Sequence, residues 1–128
     1  MPEAKVKALV KEAGKEAEIK EITIKLEDLQ KLVKGMIEII PFPGIEGLDI
    51  ILNEEGKLIN LDPNILIPEY NDMAVGPIIV LGFDEDKGDH RSLSEEEIKK
   101  VKEYLKKNDA REYKGNIEDF LGVDFYIL

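Results

Sequence analysis

Two neighbouring segments concentrate amide, carboxylate and amine side chains. One is the run Asn53-Glu54-Glu55-Gly56-Lys57, and the other is the turn Asp62-Pro63-Asn64. Such groups can hydrogen-bond or ion-pair with a protein or a small ligand, and turns commonly carry binding residues. Asn is also frequent in turns for a local reason, because its side chain bonds nearby backbone groups, so a structural role stays open. We predict an exposed binding patch made of Asn53, Glu54, Glu55, Lys57 and Asn64.

A second group with chemical potential is His90, the single histidine, which follows the acidic segment 84–89. A histidine beside carboxylates can act as a general base, which makes a small hydrolase-type enzyme an alternative. No nucleophile elbow, phosphate-binding glycine loop or metalloprotease helix accompanies it. A surface histidine in a polar turn is therefore the preferred interpretation, and we assign no catalytic residue.

The acidic segment also has a partial resemblance to a calcium loop. Asp84, Asp86 and Glu95 stand at the spacing of the first, third and twelfth ligands. However, Gly88 is fifth rather than sixth, and the preceding residues have the pattern of a strand instead of an entering helix. We expect a solvated turn here, with no metal and no cofactor.

Composition limits the remaining classes of function. The 128 residues carry a net charge of −10, with 36% charged residues and no cysteine. A surface of this sign repels phosphate, so we expect no nucleic-acid partner; an acidic protein that mimics DNA is a further alternative. Without cysteine there are no disulfides and no thiolate metal sites. No run reaches the ~18 apolar residues of a membrane helix, and the first residues lack a secretory signal, so we expect a cytoplasmic protein without a membrane partner.

Hydrophobic periodicity predicts the elements of the first half of the chain. Val6 to Val10 alternate with lysines as in a strand, with Leu9 as the exception, and 17–23 returns as a hairpin. A helix is expected over about 26–34, ending at a left-handed Gly35. Two further strands are expected at 37–40 and 48–52.

The second half is expected to begin with a tight turn at 53–56, in which Gly56 has a positive φ and 57–61 is the returning strand. Residues 65–72 are expected to be an extended connection. The last strong strand is predicted at 75–81, and Pro77 places it towards a sheet edge. Ser94 and Glu97 have the spacing of a capping box before a helix that extends to about Lys107. Because both side chains belong to one box, Glu97→Ala is expected to add little to the cost of Ser94→Ala.

These elements predict an α+β fold with an antiparallel or mixed sheet of five to six strands and two principal helices. We expect a single domain over 1–128, with a core at 1–108 and a C-terminal extension at 109–128. In that extension Asn116 is expected to cap one helical turn. The apolar segment 123–128 is expected to form an edge strand, which also allows a homodimer.

The order of several short motifs resembles that of domain-of-unknown-function family 3846. The similar segments are Val6–Val10, Leu26–Gly35, Asn53–Leu58, Asp62–Asn64, Val75–Gly82 and Arg91–Ser94. The resemblance covers roughly the first hundred residues and departs from the family pattern at Ile65, where that pattern has Arg. It implies a small protein encoded on phages, plasmids or integrative elements of Firmicutes, without an established activity. Such accessory proteins often bind a host protein or a small ligand, which makes a non-enzymatic binding module the first hypothesis. The abundance of Lys, Glu and Ile is in addition typical of thermophile proteins.

Overall fold

The computed structural model describes residues 5–115, which contain eight strands and two α-helices. The elements in chain order are β1 (Lys5–Lys11), β2 (Glu18–Thr23), α1 (Leu26–Val33), β3 (Ile37–Pro41), β4 (Leu48–Asn53), β5 (Pro63–Ile67), β6 (Asp72–Val75), β7 (Ile78–Asp84), β8 (Asp89–Arg91) and α2 (Glu95–Lys107). Short 3₁₀ turns lie at Pro68–Tyr70 and Ala110–Glu112. Neither helix in the described part of the chain is long and apolar enough to span a membrane.

Six strands form one antiparallel sheet in the order β2-β1-β7-β4-β3, with β8 paired to the end of β7. Strands β5 and β6 form a separate two-stranded antiparallel sheet. The early hairpin, both helices and the strands at 37–41 and 48–53 are where periodicity predicts them. The α+β fold with a six-stranded sheet and two principal helices is therefore confirmed.

The two helices lie on opposite faces of the large sheet. Leu29 and Val33 of α1 pack in one cluster with Val6, Ala8 and Val10 of β1. A second cluster joins Leu9 and the buried stripe of α2, formed by Ile98, Val101 and Leu105. Leu9 interrupts the alternation of β1 because both faces of this strand are covered. Its side chain points to the face that α2 covers, where an apolar residue is also required.

The end of α1 differs from the prediction in one residue. The left-handed position is Lys34, with φ of 67°, and the Gly35 amide donates to the Gln30 carbonyl. Gly35 is instead the point where Asn53 approaches the backbone, because an added Cβ would lie 2.7 Å from Asn53 Nδ2. The glycine is thus explained by a close contact between distant parts of the chain.

The predicted strand at 57–61 is wrong. Residues 54–60 form successive turns, in which the Ile59 amide donates to the Glu55 carbonyl and the Leu61 amide to the Gly56 carbonyl. Leu58 and Ile59 are both exposed, so this segment lacks the inward and outward alternation that a half-buried strand requires. Gly56 has no positive φ; it lies against β6, where a Cβ would meet Val75 Cγ2 at 2.7 Å.

Two further expectations for the middle of the chain are also wrong. Residues 65–72 are not a plain connection but contain most of the β5–β6 hairpin, whose turn is formed by Pro68–Tyr70. The strong strand begins at Ile78, after Pro77, and lies between β1 and β4 in the interior of the sheet. Pro77 therefore removes no ladder hydrogen bond inside this strand and does not place it at an edge.

The capping box of α2 is confirmed, and Glu97 has a second role. The Glu97 amide donates to Ser94 Oγ, and the Ser94 amide donates to Glu97 Oε1. The same carboxylate accepts two hydrogen bonds from the Arg91 guanidinium, at 2.8 and 3.0 Å. Hydrogen bonds from Arg91 outweigh partial burial and lower the pKa of Glu97. Glu97 thus joins β8 to the start of α2.

This second role changes the expected mutational pattern at the helix start. Ser94→Ala removes one cap and should cost about 1 kcal/mol. Glu97→Ala also leaves Arg91 without its carboxylate and should cost more, about 2 kcal/mol in free energy of unfolding, as for hydrogen bonds to charged groups. Urea denaturation measures both losses. Glu97→Gln is the control that keeps a capping acceptor and removes the charge. Its loss in free energy of unfolding should lie between those of Ser94→Ala and Glu97→Ala. If Ser94→Ala and Glu97→Ala lower the free energy of unfolding equally, the hydrogen bonds between Arg91 and Glu97 do not stabilise the domain.

The described part of the C-terminal segment packs against the rest of the domain. Asp109 and Ala110 are buried, and Asp109 forms an isolated bridge with Ile65. The predicted cap at Asn116 and the predicted strand at 123–128, with its homodimer, lie outside the described residues. The division of the chain at 108 stays a prediction.

Candidate functional site

Asn53, the first residue of the predicted patch, is buried. Its Nδ2 donates to the Val33 carbonyl at 3.0 Å, and its Oδ1 accepts from the Glu55 amide at 2.7 Å. Both ends of the side chain therefore satisfy backbone groups, one at the end of α1 and one in the turn that follows β4. The expectation that Asn53 is exposed is wrong.

Asn64 is completely buried, and both polar atoms of its side chain form hydrogen bonds. Its Nδ2 donates to the carbonyls of Lys11 and Gly76, at 2.8 and 2.7 Å, and its Oδ1 accepts from Lys11 Nζ at 2.6 Å. The residue joins β5, the end of β1 and the turn before β7. Its expected exposure is also wrong, because these acceptors come from parts of the chain far from the turn Asp62-Pro63-Asn64.

The charged members of the predicted patch do reach the surface. Glu54 and Glu55 are exposed, and Lys57 is half-buried and forms an ion pair with Asp72 of β6. Asn53, Glu54 and Lys57 also line a cavity of about 280 Å³. The structure therefore brings these three residues together and leaves Asn64 in the interior, at a different place.

The loop 54–60 also presents two large apolar side chains that the predicted strand at 57–61 did not single out. Leu58 is 62% exposed and Ile59 is 51% exposed. Leu58 lines the same cavity as Lys57. Exposed apolar groups beside charged residues are typical of surfaces that contact other proteins, although single exposed residues are common. A signal was present in the sequence, because a Leu-Ile pair between Lys57 and Asn60 has no strand alternation.

The exposed charges of this loop contribute little to stability in the folded domain. We expect the double substitution Glu55→Ala and Lys57→Ala to change the free energy of unfolding by no more than about 0.5 kcal/mol, because Glu55 is exposed and the Lys57–Asp72 pair is near the surface. Thermal and urea denaturation measure this change. Asn53→Ala is the contrasting variant, with an expected loss of at least ~1 kcal/mol. A large loss in the double variant would mean that these charges hold the loop.

His90 lies beside one carboxylate. Its Nε2 is 3.1 Å from Asp49 Oδ2, and its ring meets Phe83 edge-on with a centroid separation of 5.3 Å. Asp49 and Phe83 line an open cleft of about 870 Å³ next to the loop between β3 and β4. The pair thus has the geometry of a histidine oriented by a carboxylate.

The acidic segment 84–89 forms the turn between β7 and β8. Asp84 Oδ1 accepts from the amides of Asp86 and Lys87, and the Gly88 amide donates to the Asp84 carbonyl. Asp84 is therefore engaged with its own turn, as expected for an Asx-type turn. Across residues 5–115 no group of three or more His, Asp and Glu side chains has a metal-binding arrangement.

A buried charge cluster at the end of β1 was not predicted. Lys11 is 1% exposed, and its Nζ lies 3.1 Å from Asp109 Oδ2. Asp109 also accepts from the backbone amide, Nε and Nη2 of Arg111. Burial works to raise the pKa of Asp109, but hydrogen bonds from Arg111 and Lys11 outweigh it and hold that pKa well below its usual range. Burial lowers the pKa of Lys11, against the opposing effect of Asp109.

The cluster predicts a definite dependence of stability on pH. Because the pKa of Asp109 is lower in the folded state, its stabilising contribution is complete above the ordinary value of 3.8 and is lost as pH falls below it. Glu97 has a lowered pKa and contributes in the same direction. Urea midpoints measured between pH 7 and pH 2.5 should fall steeply below about pH 4. Asp109→Asn should make that fall shallower, and an unchanged slope would refute the assignment to Asp109.

The architecture defines a class, an α+β domain whose antiparallel sheet carries one helix on each face. Residues 6–106 match the family described as Domain of unknown function (DUF3846), and the chain belongs to that family. The match extends from β1 through nearly all of α2. No match was found among the curated proteins or among the solved structures.

Proposed function

We propose that this domain is a non-enzymatic binding module that contacts a protein partner through the loop 54–60. The observation that carries the proposal is the exposure of Leu58 and Ile59 on a loop whose other residues are mostly charged or polar. Leaving two large apolar side chains in water has no benefit for folding, whereas burying them against a partner is favourable by about 25 cal/mol per Å² of apolar area.

The charges around the loop indicate the chemistry of the partner. Glu54 and Glu55 are exposed on the loop, and Glu38 is exposed on β3 beside the cavity. The positive charge of Lys57 is neutralised by its ion pair with Asp72. The rim is thus acidic, on a chain with a net charge of −10. Complementary charge favours a partner that has an apolar contact area with a basic rim.

The biological setting forms the second part of the proposal. Membership in the family is consistent with an accessory protein encoded on a mobile element, and we propose that the partner is a host protein met in the cytoplasm. The absence of cysteine agrees with that compartment, because the fold does not depend on an oxidising environment.

Site-specific photo-crosslinking tests the surface directly. A benzoylphenylalanine placed at position 58 or 59 should capture a discrete partner from a bacterial lysate. The matched control is the same probe at Ile19, which is 47% exposed on the edge strand β2, far from the loop in sequence. Adducts should form from the loop and not from Ile19.

Charge reversal then tests the acidic rim. The additional substitutions Glu54→Lys and Glu55→Lys should abolish the adduct from position 58, whereas Glu95→Lys and Glu96→Lys on α2 should leave it intact. An adduct that forms equally from Ile19, or one that survives reversal of the loop charges, would contradict the proposed surface.

The pairing of His90 with Asp49 supports a second candidate, a small hydrolase. In one tautomer His90 Nε2–H donates to Asp49 and leaves Nδ1 free to take a proton from an attacking water. Hydrolysis of nitrophenyl esters and phosphates provides the test. Turnover that is lost in His90→Gln and reduced in Asp49→Asn would support the enzyme, and turnover unchanged in both variants would exclude this pair.

A further inference from the structure

Beside the buried cluster lies a cavity of about 260 Å³ with an unusual charge for this chain. Its walls carry four basic side chains, Lys11, Lys102, Lys106 and Arg111, and three acidic ones, Glu16, Asp109 and Glu112. The whole chain has ten more acidic than basic residues. A local excess of positive charge is therefore the reverse of the average surface.

The acidic residue at the base of the cavity is already neutralised. Asp109 is shared between Lys11 and Arg111, so one carboxylate faces two cations. Two of the three ammonium protons of Lys11 are directed to Asn64 Oδ1 and Asp109 Oδ2, and within residues 5–115 the third has no acceptor. Arg111 uses Nε and Nη2 for Asp109, and its Nη1 likewise has no acceptor in the described chain.

The helix wall adds two cations, of which Lys106 in the last turn of α2 also complements the helix dipole. Lys102 and Lys106 are exposed, stand four residues apart on α2 and line the same cavity. Like charges at this spacing destabilise a helix, and no carboxylate of the described residues pairs with either lysine. An anion between α2 and the 3₁₀ turn would relieve that repulsion.

We propose that this cavity binds a small oxyanion, a phosphate or carboxylate group, held between Arg111, Lys102 and Lys106 with Lys11 at its base. The guanidinium fork suits the planar or tetrahedral oxygens of such groups, and the lysines act as point charges. The volume suits a phosphate-sized ligand rather than a nucleotide, because pockets for larger ligands typically start at about 300 Å³. This site is distinct from the loop 54–60.

Titration with inorganic phosphate, followed by ¹H–¹⁵N NMR at constant ionic strength, tests the site. Saturable shifts should be confined to residues 11, 16–17, 102–106 and 109–112. Lys102→Gln with Lys106→Gln should weaken binding at least about tenfold, because it removes two of the four cations. Both residues are exposed, so the variant should fold normally.

The matched control is Lys99→Gln with Lys107→Gln, which removes the same charge from the same helix outside the cavity and should bind as the unchanged protein does. A parallel titration with acetate distinguishes the two anion classes: saturation by either one at these residues supports the site. Binding that is weakened equally in both double variants, shifts that are spread over other surfaces, or the absence of saturable shifts with both anions would overturn it.

Discussion

Replacing Asp109 by Ala is expected to lower the free energy of unfolding by about 3–5 kcal/mol, the range seen when one member of a buried ion pair is removed. Lys11 would remain 1% exposed with only the Asn64 amide oxygen as a partner, so its charge would be buried without compensation. Urea denaturation at pH 7 measures the loss. If the variant is too unstable to isolate, Asp109→Asn reports the same effect in milder form.

Two comparisons separate the ion pair from a general effect on the C-terminal segment. Glu112→Ala removes an exposed carboxylate from the same 3₁₀ turn and should change stability by no more than about 0.5 kcal/mol. Lys11→Met combined with Asp109→Leu removes both charges and should recover part of the loss, because an apolar pair avoids the desolvation cost, although the buried Asn64 Oδ1 loses its donor and the Arg111 amide its acceptor. A double variant as unstable as Asp109→Ala would show that packing, not charge, is responsible.

Local patterns were sufficient for elements whose structure depends on neighbours in the chain. The strand at 5–11, the helix at 26–33 and the capping box at Ser94 and Glu97 all depend on spacings of two to four residues. Such spacings are visible in the sequence because side-chain direction repeats with the backbone. Element type and approximate position could therefore be predicted for most of the large sheet and both helices.

Elements that depend on distant contacts could not be predicted in this way. In the loop 54–60 the adjacent Leu58 and Ile59 argue against a strand, but the turns that form there also depend on the packing of Gly56 against Val75 of β6, a contact that the local sequence does not show. Position in the sheet is also non-local: β7 is central because β1 and β4, two separate strands that both precede it in the chain, pair with its two edges. A proline one residue before that strand gives no information about its neighbours.

The candidate site shows the same limit at the level of side chains. Asn53, Asn64 and Glu55 have similar polarity in the sequence, but the first two are buried and the third is exposed. Asn64 is engaged by Lys11, 53 positions away, and Asp109 by the same lysine, so neither contact leaves a local signature. The predicted patch is therefore reduced to Glu54, Glu55 and Lys57 at the surface.

The central position of β7 leads to the second large expected effect. Ile79→Ala should lower the free energy of unfolding by about 2–5 kcal/mol, because truncating a buried isoleucine loses its burial and leaves a cavity. Ile79 is fully buried and pairs with Val10 of β1 and Ile51 of β4. An edge position, as Pro77 suggested, would have allowed relaxation and a smaller loss.

Ile19→Ala is the matched control, since it removes the same atoms from the edge strand β2, where the side chain is 47% exposed. Its expected loss is below about 1 kcal/mol, because little apolar area is buried there. Both variants are compared by urea denaturation with a common slope. If Ile79→Ala costs no more than Ile19→Ala, the interior position of β7 between β1 and β4 would have to be abandoned.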